Sequence, residues 1–157
     1  MKKWVSQATP LAAIASLALT GAAWAGGTDD FGCSNAALKG LYAFGVTNLT
    51  TQQVVAGIKV FDGNGNLTQR DYTGNSVPAE FSPPGQDTGT YPVNPDCTGS
   101  MGINLNVPGG GGVIQILFVI SNGGRHIHEV VSQLTPPFSS APEPVQTSAD
   151  DWKVASD

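Results

Sequence analysis

The stretch Gly124-Arg125-His126-Ile127-His128-Glu129-Val130 gathers the side chains best suited to chemistry. On a strand, His126 and His128 point to one face and Glu129 to the other. Two imidazoles at that spacing can share a metal ion. A two-histidine metal pattern of this kind also wants a Glu four or five residues past the second His, and Ser132 and Gln133 stand there. The zinc-protease order H-E-x-x-H fails as well, because Val130-Val131-Ser132 follows His128-Glu129. A third ligand could come from Asp71 or Glu80, but no spacing requires it. The plainer reading is a pair of histidines on a solvated or pocket-lining face. His126 and His128 are therefore expected to contact a ligand, with no metal and no cofactor.

Asp62, Asn64 and Asn66 fall at every second position, as oxygen ligands do in a calcium loop. Such a loop also needs Gly at its sixth position and a bidentate Glu at its twelfth. Counted from Asp62, those positions hold Leu67 and Thr73. Asn and Gly alternating between two strand-like runs are what a tight hairpin needs, since both tolerate positive φ. The segment reads as a turn. Gly109 to Gly112 resembles a phosphate-cradling loop but lacks the Gly-Lys-Ser/Thr ending and opens no helix. No G-x-S-x-G is present. Asp71, Glu80, Asp87 and Glu129 could pair as acid and base for glycoside chemistry only if the fold brought two together. Two glycosylation sequons begin at Asn48 and Asn66 and matter only in a eukaryotic secretory pathway, whereas a bacterium is expected. No catalytic constellation emerges.

The chain ends set the compartment that these residues work in. Met1-Lys2-Lys3, an apolar run over residues 10–23 and Ala23-Trp24-Ala25 have the order of a secretory signal peptide. The run is short for a membrane span of about 20 residues. Cleavage is expected after Ala25, which leaves an exported chain, periplasmic or extracellular, with no membrane span. The net charge of −5 becomes more acidic once Lys2 and Lys3 leave. The remaining basic residues are scattered, so no nucleic-acid face is expected. In an exported chain, Cys33 and Cys97 most simply form one disulfide. It would close a long loop, worth about 4 kcal/mol in the chain-entropy account.

Twenty Gly, eleven Pro and few charges disfavour long helices. Strand signals are better. Residues 97–107 alternate, with Met101, Ile103, Leu105 and Val107 on one face. Residues 41–46 and 54–61 read as two more strands. Residues 113–120 are apolar on both faces and should be covered on both. Asp62 to Asn66, Asn94-Pro95-Asp96, Pro108 to Gly112 and Asn122-Gly123-Gly124 supply the turns. Hairpins at this spacing predict an all-β antiparallel meander of about eight strands closing into a small barrel, with a β-sandwich as the alternative. Residues 26–135 form this single domain. Residues 76–86 read as a loop. Residues 136–157, rich in Pro, read as an extended or mobile tail that Trp152 could dock.

The ordered set Cys33-Ser34-Asn35-Ala36-Ala37-Leu38-Lys39-Gly40-Leu41-Tyr42-Ala43-Phe44, Phe61-Asp62-Gly63-Asn64-Gly65-Asn66 and Gly89-Thr90-Tyr91-Pro92-Val93-Asn94-Pro95-Asp96-Cys97-Thr98-Gly99 resembles a group of small secreted bacterial proteins of uncharacterised function. These are similar in outline to calycin-type or allene-oxide-cyclase-like β-barrels. The resemblance implies a barrel and a Cys33–Cys97 bond. It carries no activity, since its motifs are turns, glycines and a disulfide.

In a barrel, half of the strand positions face the lumen. Aromatic residues there, Tyr42 and Phe44 among them, could line a site for a small, largely apolar molecule. The expected function is thus a non-enzymatic ligand-binding or surface interaction module. A cyclase-like, isomerase-like or metal-dependent enzyme using His126 and His128, and a structural envelope or matrix protein, are the alternatives.

Overall fold

The computed structural model describes residues 32–48, 53–73, 87–106, 111–136, 139, 141–143 and 145–155. The signal peptide expected at 1–25, the loop expected at 76–86, Glu80 and most of the Pro108–Gly112 turn lie outside them. Eight strands follow one another: β1 (Gly40–Asn48), β2 (Gln53–Phe61), β3 (Asn66–Thr73), β4 (Asp87–Thr90), β5 (Thr98–Leu105), β6 (Gly112–Ser121), β7 (His126–Thr135) and β8 (Thr147–Ala155). Each pairs antiparallel with the next, and β8 pairs with β1, so the sheet closes into a barrel. Among the described residues no helix is long and apolar enough to cross a membrane.

The alternation of the chain decides which residues fill the barrel. Tyr42 and Phe44 on β1, Lys59 and Phe61 on β2, Leu67 and Gln69 on β3, and Met101 and Ile103 on β5 are buried in step with the pleat. Ile116, Phe118 and Ile120 on β6 and Ile127 and Glu129 on β7 continue the inner face. The outer face of β6 departs from the expectation of double coverage. Leu117 and Val119 are about half exposed, because the sheet is one layer and nothing described packs outside it.

One end of the barrel is plugged. A single 3-10 turn, Asn35–Leu38, enters ahead of β1 and buries Leu38. The Phe61 ring meets Tyr42 and Tyr91 edge-on, at 5.2 and 5.0 Å between centroids. The Tyr91 hydroxyl donates to the Asn35 carbonyl at 3.2 Å and accepts from the Gly63 amide at 3.1 Å. The Cys33–Cys97 disulfide closes the same end across 64 positions, with Cα atoms 5.1 Å apart. The segment from Asp62 to Asn66 is a turn, as its residue types require. The Asp62 carboxylate accepts the Asn64 and Asn66 amides at 2.7 and 3.0 Å, and Gly63 and Gly65 have φ of 80° and 103°.

The C-terminal segment corrects the sequence reading. Residues 147–155 are no tail but the strand that closes the barrel, held to β1 on one side and β7 on the other. Its polarity is inverted. Ala149 and Asp151 face inward, whereas Trp152 and Val154 face solvent. A hydrophobic alternation therefore does not reveal it.

Candidate functional site

The structure divides the four residues expected to bind a ligand among three places. Tyr42 belongs to the plugged end, is fully buried and donates its hydroxyl to the Gly124 carbonyl. Burial, with Tyr91 and Asp151 nearby, pushes that phenol up to about 12, so it stays a donor. Phe44 also faces inward, one pleat further along β1. His126 and His128 lie on the outer wall, on the opposite face of β7 from Glu129.

Phe44 covers an ionic cluster inside the barrel. Lys59 directs Nζ at both Glu129 carboxylate oxygens, at 2.7 and 2.6 Å, and at both Asp151 oxygens, at 3.3 and 3.0 Å. The ammonium lies 4.6 Å from the centre of the Phe44 ring, within cation–π range. All three charged residues are at most 4 % exposed. Strand register explains the meeting. Phe44 lies opposite Gly57 on one side and Asp151 on the other. Glu129 lies opposite Ala149. The small partners make room: a Cβ at Gly57 would stand 2.7 Å from Phe44 Cζ and 2.7 Å from Asp71 Cβ.

The electrostatics of the cluster follow from its composition. Burial alone would push Lys59 down, but Glu129 and Asp151 outweigh it and hold the ammonium above its ordinary range. Burial raises Asp151 to about 7; Lys59 pulls against this and Glu129 adds to it. One ammonium cannot neutralise two carboxylates in a dry interior. A proton on Asp151 removes the excess negative charge, and the hydroxyl so formed can donate to Glu129. Near neutral pH the cluster therefore holds a proton that it can release.

Beyond this layer the inner face carries more polar groups, and several of its positions are only partly buried. Gln69 donates to Asp71 at 3.0 Å. Asp87 accepts the Asn106 amide at 2.9 Å, and its burial pushes its carboxyl up. Val46, Val55, Asp71, Ile114 and Val131 are only partly buried. Of the carboxylates considered for glycoside chemistry, Glu129 is engaged by Lys59 and faces Asp151. Lys59 and Asp151 themselves escape sequence reasoning. A lone Lys in an apolar strand reads as solvated, and Asp151 sits in the segment assigned to the tail.

The outer cluster gains the partner that the sequence did not name. His128 lies opposite Asp150 and His126 opposite Trp152 on the paired strands β7 and β8. Asp150 Oδ1 is 2.8 Å from His128 Nδ1 and 3.1 Å from His126 Nε2. The His126 ring stacks on Trp152 at 3.6 Å with 12° between planes, and the two imidazoles are 4.0 Å apart. Of the third residues considered for a metal, Asp71 faces the interior and Glu80 lies outside the described residues. Two imidazole nitrogens and one carboxylate oxygen do converge, all within 4.8 Å of one another. Comparison with protein-family models, curated proteins and solved structures finds no match to this chain.

Proposed function

We propose that this protein is a non-enzymatic, exported binding barrel. Its ligand is a small, largely apolar molecule held in the lumen at the end opposite the disulfide. The observation that carries the reading is the change of character along the inner face. The disulfide end is filled by Leu38, Tyr42, Phe61, Tyr91 and Met101, each at most 2 % exposed. The interior then passes through the Phe44-capped charges to a partly buried lining of Val46, Val55, Ile114 and Val131. An eight-stranded barrel is wide enough either to be filled by side chains or to hold one small ligand. Here Ile114 and Val131 pack against the buried core yet stay partly exposed, so the positions beyond the charged layer are less fully covered than those at the disulfide end. Gln69, Asp71 and Asp87 stand beside the apolar positions and favour a ligand whose polar end donates hydrogen bonds or carries positive charge.

Native mass spectrometry of the untagged exported protein tests the reading. The expected result is an organic adduct that disappears under denaturing conditions. The fluorescent amine 1-aminoanthracene, an apolar body with a donor, should bind the emptied protein. Val46→Trp, which adds bulk to the lining, should weaken that binding at least tenfold while the protein stays folded. A bare native mass together with probe binding unaffected by Val46→Trp rejects the lumen site.

A further inference from the structure

We propose that His126, His128 and Asp150 form a binding site for one divalent transition-metal ion on the outer wall of the barrel. This site is separate from the lumen and does not depend on what the lumen binds. The donor set is the first argument. Two imidazoles and one carboxylate suit zinc, nickel and copper, whereas magnesium and calcium take oxygen ligands. An ion held by three protein ligands keeps a further position for water or an incoming group.

Spacing is the second argument. Bonds of about 2.0–2.1 Å to a tetrahedral ion place the ligand atoms about 3.3 Å from one another. Asp150 Oδ1 already stands 2.8 and 3.1 Å from the two imidazole nitrogens. Its separations need to grow by only a few tenths of an ångström. The third separation, between the two nitrogens, is below 4.8 Å. In the empty protein both rings reach the same carboxylate oxygen, so their polar contacts with Asp150 occupy the place that an ion would take. Metal binding would replace those contacts with small side-chain shifts, Asp150 moving out by a few tenths of an ångström and the two nitrogens settling to about 3.3 Å.

Preorganisation is the third. All three residues stand on paired strands, where side-chain positions are better fixed than on loops. Trp152 stacks flat on the His126 ring and fixes its plane. His128 and Asp150 are more than half exposed, so an ion can reach the site from solvent.

Trp152 also supplies the readout, because it is the only tryptophan outside residues 1–25. The untagged exported protein, stripped with EDTA, would be titrated with copper(II), nickel(II), zinc(II) and magnesium. Copper and nickel should quench Trp152 fluorescence with a stoichiometry of one. Zinc should bind by calorimetry with the same stoichiometry, and copper should bind tightest, in line with the general order for such ligands. Magnesium should not bind. His128→Ala and Asp150→Asn, both at exposed positions, should each lower affinity at least tenfold without changing circular dichroism or the melting temperature of the metal-free protein. The copper(II) electron paramagnetic resonance spectrum should show coupling to two nitrogens, reduced to one in His128→Ala. Absence of saturable binding at millimolar metal overturns the proposal, as does an affinity unchanged in both variants.

Discussion

Lys59 on β2 and Asp151 on β8 are 92 positions apart, yet the Lys59 Nζ lies 3.0 Å from Asp151 Oδ2 inside the barrel. Glu129 completes the contact at 2.6 Å. Breaking a buried ionic group by removing one partner leaves uncompensated charge, which typically costs about 3–5 kcal/mol. Lys59→Met should therefore lower stability to urea by about that amount. Replacing the whole group with apolar residues of similar size is often neutral or better. Lys59→Met, Glu129→Leu and Asp151→Leu combined should recover most of the loss. A triple variant less stable than Lys59→Met alone would show that the cluster is a net stabiliser.

The proton on Asp151 ties stability to pH. Its carboxyl titrates at about 7 in the folded protein against 3.8 for the free group. Between those values the folded state holds a proton that the unfolded state has lost. This stabilisation is complete below about pH 4 and is lost as pH rises towards 7, by at most about 1.4 kcal/mol per pH unit. Asp87, also raised by burial, acts in the same direction. Lys59, raised, stays charged in both states across this window and adds no slope. In stronger acid the sign reverses, because hydrogen bonds hold Asp62 and Asp96 below their ordinary values. The melting temperature should peak near pH 4–5 and fall towards pH 8. Asp151→Asn, which imitates the protonated side chain, should flatten the fall. A profile identical to the wild type would remove Asp151 from the account.

The disulfide ties the plugged end and leaves the other end alone. Cys33 precedes the 3-10 turn that seats Leu38, and Cys97 precedes β5. Cys33→Ala with Cys97→Ala should cost about 4 kcal/mol, the chain-entropy value for a loop of this length. The eight-stranded pairing should survive, so far-ultraviolet circular dichroism at low temperature should match the wild type. Loss of the β signal under those conditions would mean that the bond is needed to form the fold.

The fold was legible wherever apolar residues faced inward. Met101, Ile103 and Leu105 alternate with Gly102 and Asn104 and mark β5 directly. Turn chemistry at Asp62 and Gly63 marked the hairpin between β2 and β3. The strand β8 was not legible, because its inner positions include Asp151 and its outer positions include Trp152 and Val154. The same inversion hid the ion cluster. Lys and Asp are by default solvated, and that default fails where partners from β2, β7 and β8 meet across the interior. His126 and His128 were legible as a same-face pair. Asp150 was not, since its position beside His128 depends on a strand pairing that the local sequence does not announce.

That pairing makes the last strand the sharpest test of the architecture. A chain ending at Gln146 would leave β1 and β7 as open edges, each a template for pairing with another chain. It would also remove Asp151 from Lys59, Trp152 from His126, and Asp150 from both histidines. The truncated protein should elute as aggregate or higher oligomer in size-exclusion chromatography and unfold without a sharp transition. A synthetic peptide covering residues 145–157 should restore a monomeric, cooperatively unfolding species, because the strand supplies its own hydrogen-bonding edges to β1 and β7. With Asp151 changed to Leu, the peptide should still close the sheet but leave Lys59 with Glu129 alone. Its complex should then lose the stability that wild-type complementation gains between pH 7 and pH 5. A truncated chain that stays monomeric and melts cooperatively without peptide would mean that the first seven strands close without the eighth.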